Sequence, residues 1–420
     1  MNKNRPELEK RFFALFDPFI DLERNTGRKY TDSEYSLDGI HELADVTGHP
    51  ENKQRIIHIA GTKGKGSTAT FLAALLQSAG YSSGAFTSPH LSTVRERFLL
   101  NGKPVSYDFL LDEAQKLLRV VTEHGLNPTF FELMTILALM MFQEVECQWT
   151  ILETGIGGRL DCTNFIDDPA CVIITPISLD HTALLGESIG EIAREKAGII
   201  KPRAPVICAS QPYSEAEAVL RRTADNAGCR FIPVEATPQN LSPWGLRDVP
   251  LFMQENFQVA LTACMTLDIA PSARNFQPVW PRGRCEKICD LPLVVIDVAH
   301  NADSARRLRG AITAQWPDER FTVILGVVKG KDTKGIVTEL GDILRESLVL
   351  TNPRPPKASG LDELSQAVAA AGFEYQVCPE IHSRADLPPA DAYLFAGSFF
   401  TARIGDELFG FDSDSEDNSA

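Results

Sequence analysis

The chain has 420 residues, of which 44% are hydrophobic and 23% charged, the balance of a globular protein long enough for two domains, each with a sizeable core. A net charge of −15 argues against nucleic-acid binding, which needs a basic face to neutralise phosphates. The N-terminal MNKNRPELEKRF lacks the apolar core of a signal peptide, and the greasiest run, Phe130–Phe142, is broken by Glu132 and falls short of the about 20 residues that cross a bilayer.

Nine cysteines are scattered singly with no paired CxxC, so they are expected to be reduced thiols in packing roles, and the chain to be cytoplasmic with no membrane partner. Ile56–Ile59 is an apolar run of the kind a buried parallel strand needs. It is followed by Gly61, Thr62, Lys63, Gly64, Lys65, Gly66 and Ser67, and the pattern predicts a helix over Thr68–Ala79 stopped by Gly80. Glycines let the backbone approach an anion, Lys65 meets negative oxygens, and a helix N-terminus offers free N–H groups. This reads as a nucleotide-triphosphate loop with unusual spacing. The standard motif needs glycine at 59, where Ile59 stands, and Ser or Thr directly after Lys65, where Gly66 intervenes.

Further along, strands are predicted at Trp149–Leu152, Cys171–Thr175, Pro205–Ala209 and Arg230–Pro233, with helices at Phe131–Val145 and Ser214–Ala227. Asn275–Arg284, holding two prolines, Trp280 and two arginines, marks a domain boundary. A second series follows, with strands Leu293–Ile296, Phe321–Gly326, Leu348–Leu350 and Tyr393–Ala396 separated by helices near Ser304–Ala314, Thr333–Arg345 and Leu361–Ala371. Such alternation predicts α/β architecture with parallel sheets covered by helices. The tail, with Asp412, Asp414, Glu416 and Asp417, is expected to be solvated and disordered.

Polar residues gather just past the strand ends, where open α/β sheets bind ligands. Glu153 suits a Mg²⁺ ligand, although it also fits a turn cap. Asp161, Thr163 and Asn164 offer oxygens but are equally good turn formers, and Ser88 is either a hard-metal ligand or the centre of a serine turn. His181 can complete a metal shell or orient a phosphate. Lys196, beside Arg194 and Glu195, reads by composition as a solvated surface lysine. In the second series Asp297 and His300 follow a strand, and Arg284 suits a phosphate or an interdomain salt bridge.

Together GTKGKGST, FTSPHL, LETGIGGRLDCTN, LDHT, EKAGIIK and DVAHN resemble, in order from about Asp38 to about Phe400, the folylpolyglutamate synthase and dihydrofolate synthase family of the Mur-ligase superfamily. The resemblance implies an N-terminal P-loop-type ATPase domain with a parallel sheet over 1–276, a smaller C-terminal Rossmann-like glutamate-ligase domain over 284–410 and an active site between them, with 411–420 as the acidic tail. It implies ATP-dependent addition of L-glutamate to folate, to dihydropteroate or to both, through an acyl phosphate, and the chain is expected to be a monomer. Lys65, Lys196 and His181 take the catalytic positions, with Lys196 matching a lysine that is carbamylated in the family. Gly61 to Ser67, Asn256, Arg284, Asp297 and His300 take ATP-side positions, while Ser88, Glu153 and His181 match Mg²⁺ ligands. Ser398 aligns near the same site, and His90–Gly102 resembles the part near the pterin.

Four positions depart from the family pattern: WPRGR puts the phosphate role on Arg282 or Arg284, Phe257 replaces a small residue, Ala302 a proline and Lys357 an arginine. A cell-wall Mur ligase carries an extra N-terminal domain, for which the 55 residues before Ile56 are too few. A dehydrogenase lacks support because no GxGxxG follows a strand. A non-catalytic nucleotide binder fits poorly with Lys65, Glu153, His181 and Lys196 all present.

Overall fold

The computed structural model describes residues 5–19, 36–235, 241–344, 347–352 and 361–410. The acidic tail and Lys357 lie outside the described residues. Two compact units emerge, the larger within Asn4–Arg247 and Phe252–Val279, the smaller within Trp280–Ala420 together with Asp248–Leu251. Among the described residues no helix is long and apolar enough to cross a membrane.

The larger unit is built on eight strands: β1 (Ile56–Ala60), β2 (Ser83–Phe86), β3 (Phe98–Leu100), β4 (Lys103–Pro104), β5 (Trp149–Glu153), β6 (Cys171–Ile174), β7 (Val206–Cys208) and β8 (Phe231–Pro233). Their spatial order is β4-β3-β2-β5-β1-β6-β7-β8. Six run parallel; β3 and β4 add an antiparallel edge after β2. Every residue of β1 and β5 is buried, as expected of strands covered on both faces.

Helices α1 (Arg5–Phe16), α2 (Asp38–Thr47), α3 (Lys65–Ser78), α4 (Tyr107–His124), α5 (Phe130–Glu144), α6 (Thr182–Leu185), α7 (Ile189–Ala197), α8 (Ser214–Asn226) and α9 (Leu251–Thr266) accompany the sheet. One apolar cluster joins Phe12, Ile40, Leu110, Leu117, Leu133 and Phe142 of α1, α2, α4 and α5 to the sheet. A second joins Val172 and Val206 of β6 and β7 to Ile192 of α7 and Leu220 of α8.

The elements read from the sequence are present with small shifts, except that the helix expected over Thr333–Arg345 ends at Leu340, where Gly341 takes φ 56° and a 3₁₀ turn follows to Leu344, Arg345 lying outside the described residues; several more elements appear. Strand β2 escapes a hydrophobicity reading because it is SGAF, with a glycine at its centre. A Cβ on Gly84 would stand 2.3 Å from Cγ of Phe142, so the glycine lets α5 lie directly on the strand. Helix α4 carries its signal openly, with Leu110, Leu111, Ala114, Leu117 and Val121 on one buried face and Ser106 as N-cap. The helix expected from Thr68 instead begins at Lys65. Gly64 takes the left-handed conformation (φ 89°) as N-cap, and the Thr68 amide already bonds the Gly64 carbonyl at 2.8 Å.

The smaller unit holds a second sheet of β9 (Glu286–Asp290), β10 (Leu293–Ile296), β11 (Thr322–Leu325), β12 (Ser347–Leu350), β13 (Gln376–Val377) and β14 (Ala392–Ala396), in the order β13-β12-β11-β14-β10-β9. All neighbours are parallel except β9, which pairs antiparallel to β10 at the edge. Helices α10 (Ala302–Gln315), α11 (Thr333–Leu340), α12 (Leu361–Ala370) and α13 (Phe399–Phe409) accompany it. The sequence reading included neither β9 nor α13.

Candidate functional site

Strand register assembles the centre of the larger unit. β1 lies between β5 and β6, the point where strand order reverses, with Ile59 opposite Glu153 and Ala60 opposite Ile174. Loops leaving β1, β5 and β6 therefore start side by side at the carboxyl edge, the position where such sheets bind ligands. Phe86, the last residue of β2, faces Leu152, which brings Thr87 and Ser88 beside Glu153.

The phosphate loop is tied down on one side. The amides of Thr62 and Lys63 both donate to the Pro176 carbonyl, at 3.0 and 3.1 Å, and Thr62 Oγ1 donates to the Ser178 carbonyl at 3.2 Å. Gly61 is required here, because at φ 149° a Cβ would stand 1.9 Å from Thr175 Oγ1. At Gly64 a Cβ would lie 2.3 Å from Oδ1 of buried Asn256 on α9, so that amide side chain presses on the loop itself. The first-turn amides of α3 precede the first intrahelical bond, and amides in that position can serve as anion donors.

Charge converges on the same place. Lys65 Nζ lies 3.7 Å from Glu153 Oε1, and the Ser88 amide donates to Glu153 Oε2 at 3.2 Å. At the intervening Gly66 a Cβ would sit 3.3 Å from Glu153 Oε2, close enough that the carboxylate would have to give by a few tenths of an ångström. Lys63 pairs with Asp180 at 3.1 Å, which ties the loop to the segment after β6 that carries His181. His181 itself adopts φ 50° as N-cap of the short helix α6, with an exposed ring.

Lys196 is not a surface lysine. It is buried at the end of α7, and its Nζ donates to the Gly61 carbonyl at 2.9 Å. Burial pushes its pKa down to about 7, and the charges of Lys65 and Lys63 push the same way against Asp180 and Asp161. Capping by Ser188 and Glu191 starts α7 and so sets where Lys196 falls.

Asp161 and Thr163 serve the turn they belong to, while Asn164 also reaches beyond it to the Gly198 carbonyl at 3.1 Å. Asp161 accepts from the Ile156 amide at 2.9 Å, the Thr163 amide at 3.0 Å and Thr163 Oγ1 at 2.5 Å, while burial raises its pKa. Thr163 Oγ1 also meets Nε2 of His58 at 2.9 Å, a fully buried imidazole whose pKa burial lowers to about 3. Since the hydroxyl donates to Asp161, it accepts from His58, which places the imidazole proton on Nε2.

The segment His90–Gly102 forms a capped turn followed by β3. Glu96 accepts from the Leu91, Ser92 and Thr93 amides at 2.7, 3.0 and 3.1 Å. Buried Arg97 donates through Nε to His90 Nδ1 at 2.9 Å. Sequence reasoning missed Glu9 of α1, which accepts from the Val94 amide at 2.8 Å, from Thr93 Oγ1 at 3.0 Å and from the Tyr107 hydroxyl. A lone acidic residue on a polar helix face gives no local signal of that role.

In the smaller unit Asp297 uses both oxygens on backbone, accepting from the Cys285 and Ala299 amides at 2.7 Å each. His300 Nδ1 meets the Val298 carbonyl at 2.9 Å, and its ring lies 6.4 Å from Phe399, over which Arg284 stacks at 5.3 Å. Arg282 is held elsewhere, 2.6 Å from Asp406 and 3.3 Å from Glu286. Ser398 caps α13, accepting from the Thr401 amide at 3.1 Å.

Residues 283–399 match the family described as Mur ligase, glutamate ligase domain. The chain is 34% identical over 343 residues to a dihydrofolate synthase/folylpolyglutamate synthase of Bacillus subtilis, covering 73% of this chain and 79% of that one. The chain belongs to the folylpolyglutamate synthase and dihydrofolate synthase family. Among solved structures, Mycobacterium tuberculosis folylpolyglutamate synthase complexed with ADP and AMPPCP matches with a TM-score of 0.82 at 26% identity, covering 97% of this chain and 99% of that one. A bifunctional folylpolyglutamate synthase/dihydrofolate synthase with Mn, AMPPNP and L-glutamate bound matches at 0.77 and 25%, covering 89% and 94%.

Whether a divalent ion fits can be judged from the donors. Among the described residues no group of three His, Cys, Asp or Glu side chains stands ready to hold a metal. Magnesium bound with a nucleotide does not need one, since it takes one or two carboxylates and fills its shell with phosphate oxygens and water. Glu153, at the strand end with the Ser88 backbone on it and Lys65 alongside, offers that single carboxylate.

Proposed function

We propose that this protein is an ATP-dependent ligase that joins L-glutamate to a folate or to dihydropteroate, with the chemistry run from the loop after β1. The observation that carries the assignment is the convergence of Lys65, Glu153, Ser88 and buried Lys196 on one glycine-rich loop at a helix N-terminus. In this reading residues 1–276 bind ATP and 284–410 form the glutamate-ligase domain. Glu153, Ser88 and His181 are the residues that would hold Mg²⁺, which would supply neutralisation of phosphate charge. Arg284, rather than Arg282, serves the phosphates, because Arg282 is occupied by Asp406 and Glu286.

The reaction runs in two displacements. A carboxylate oxygen of the acceptor attacks the γ-phosphorus, the bond to the β-bridging oxygen breaks, and ADP leaves an acyl phosphate. The amine of glutamate then attacks the acyl carbon, loses a proton, and inorganic phosphate departs as the amide forms. Lys65 and the α3 amides hold the transferring phosphoryl group in line and offset its charge. The loop does this without reorganising, because Thr62 and Lys63 are already bonded to Pro176.

Lys196 is suited to carry a carbamate. An amine with a pKa near 7 is substantially neutral at physiological pH, and a neutral amine adds to CO₂ with loss of one proton. The product is an anion facing the charges of Lys65 and Lys63, whose repulsion of the ammonium becomes attraction.

The test is ADP release with Mg²⁺ and glutamate, dihydropteroate compared against tetrahydrofolate. Lys65→Ala is expected to abolish turnover with either acceptor; retained turnover would refute the phosphate role. Absence of ADP release under any acceptor in the wild type would overturn the ligase itself.

A further inference from the structure

The turn between β5 and β6 is joined to the end of α7 by contacts that the ligase chemistry does not call for. Asn164 is buried, and its Nδ2 donates to two carbonyls, that of Arg159 at 2.9 Å in the turn and that of Gly198 at 3.1 Å just beyond α7. The orientation of the amide is decided by those partners. Reversed, its oxygen would face both carbonyl oxygens. The backbone of Asn164 is anchored in turn, with Lys201 Nζ donating to its carbonyl at 3.0 Å.

Two glycines bring the surfaces to backbone contact. A Cβ on Gly158 would stand 2.6 Å from the Glu195 carbonyl oxygen, and one on Gly198 would stand 2.5 Å from Cα of Arg159. The Arg159 amide donates to the Glu195 carbonyl at 2.7 Å across the same seam. Lys196 sits between the two anchored carbonyls, one residue after Glu195 and two before Gly198. Its ammonium leaves this seam to reach Gly61 of the phosphate loop.

We propose that Asn164 is a positioning residue for Lys196: by bridging the Arg159 and Gly198 carbonyls it locks the glycine turn to the end of α7 and so delivers the Lys196 nitrogen to the phosphate loop. The inference rests on the reading of Lys196 as a catalytic residue. Its chemical basis is specific, because only a side chain with two N–H donors satisfies two carbonyls at once. A carboxylate of the same size presents acceptors to both and drives the seam apart.

The experiment uses the full-length chain with Asn164→Asp, Asn164→Ala and Lys196→Ala, alone and combined. Asn164→Asp and Asn164→Ala are expected to lower kcat roughly 10- to 100-fold, the scale on which supporting residues act, with ATP affinity close to wild type. Both are expected to lose the carbamate resonance that wild type gives by ¹³C NMR in labelled bicarbonate. In single-turnover ADP formation, Asn164→Ala is expected to add nothing to Lys196→Ala, the signature of a residue that acts through another. Should Asn164→Asp fail to fold, Lys201→Met, which loses only the outer anchor, is expected to show the same pattern more weakly.

Variants that melt earlier yet keep wild-type kcat and carbamate would make Asn164 a packing residue and overturn the proposal. Additive losses in the combined variant would overturn it too, while leaving Lys196 in its role. Full turnover in Lys196→Ala would end the catalytic reading of that lysine and the proposal with it. A wild type without the resonance but with non-additive losses would remove the carbamate and keep the positioning.

Discussion

Replacing Lys196 by methionine should make the protein more stable and inactive, with a gain that depends on pH in a calculable way. Methionine is unbranched, ends one atom short of the lysine nitrogen and carries no charge. The folded amine has a pKa near 7 against 10.5 for a free lysine, so between those values the folded chain holds fewer protons than the unfolded one. Stability of the wild type therefore rises with pH across that window and is flat below it. At about 1.4 kcal/mol per pH unit, keeping the buried amine unprotonated costs about 5 kcal/mol at pH 7 and about 2 kcal/mol at pH 9. Methionine removes this cost but leaves the Gly61 carbonyl without its donor, a pH-independent loss of about 1–3 kcal/mol. The variant should thus lead wild type by about 2–4 kcal/mol at pH 7 and draw level near pH 9. Urea unfolding at pH 7, 8 and 9 measures this, with bicarbonate excluded so that no carbamate replaces the titrating amine. Parallel pH profiles for the two proteins would refute the depressed pKa, whatever their offset.

Gly61→Ala should destabilise the larger unit by at least about 1–3 kcal/mol, through a positive φ and a Cβ 1.9 Å from Thr175 Oγ1; an unchanged urea midpoint would contradict that close approach. Glu153→Gln keeps the shape and removes the charge, so the divalent-ion concentration for half-maximal ADP release should rise roughly 10- to 100-fold in a metal titration. Arg282→Ala, which removes a half-exposed guanidinium from Asp406 and Glu286, should cost about 1 kcal/mol and leave the KM for ATP unchanged, whereas Arg284→Ala should raise that KM; the reverse order in steady-state kinetics would reassign the phosphate contact.

The chemistry of this protein was written locally, and its assembly was not. Strand β1, the glycine loop and helix α3 are contiguous, so a single stretch of sequence holds both the apolar run and the donors of the proposed anion site. Glu153, Asp161 and Lys196 were legible as residue types past strands or on a helix. What they do there depended on neighbours far along the chain. Lys196 looked like a surface lysine because it is flanked by Arg194 and Glu195, yet α7 packs so that this one position turns inward to Gly61. Gly66 was legible as a departure from the standard spacing, and only strand register shows that the Glu153 carboxylate lies against it. Strand β2 and the roles of Glu9 and Asn164 had no local signature, since a glycine-centred strand, a helix-face carboxylate and a turn asparagine acquire their partners only when distant segments meet. Sequence alone determined which groups of the right chemical type are present and where along the chain, because formal charge, donor type and backbone freedom belong to residues and their immediate spacing. The tertiary fold decided which of those groups are buried, which face one another and which merely hold the frame, because burial and distance are properties of pairs that only packing creates.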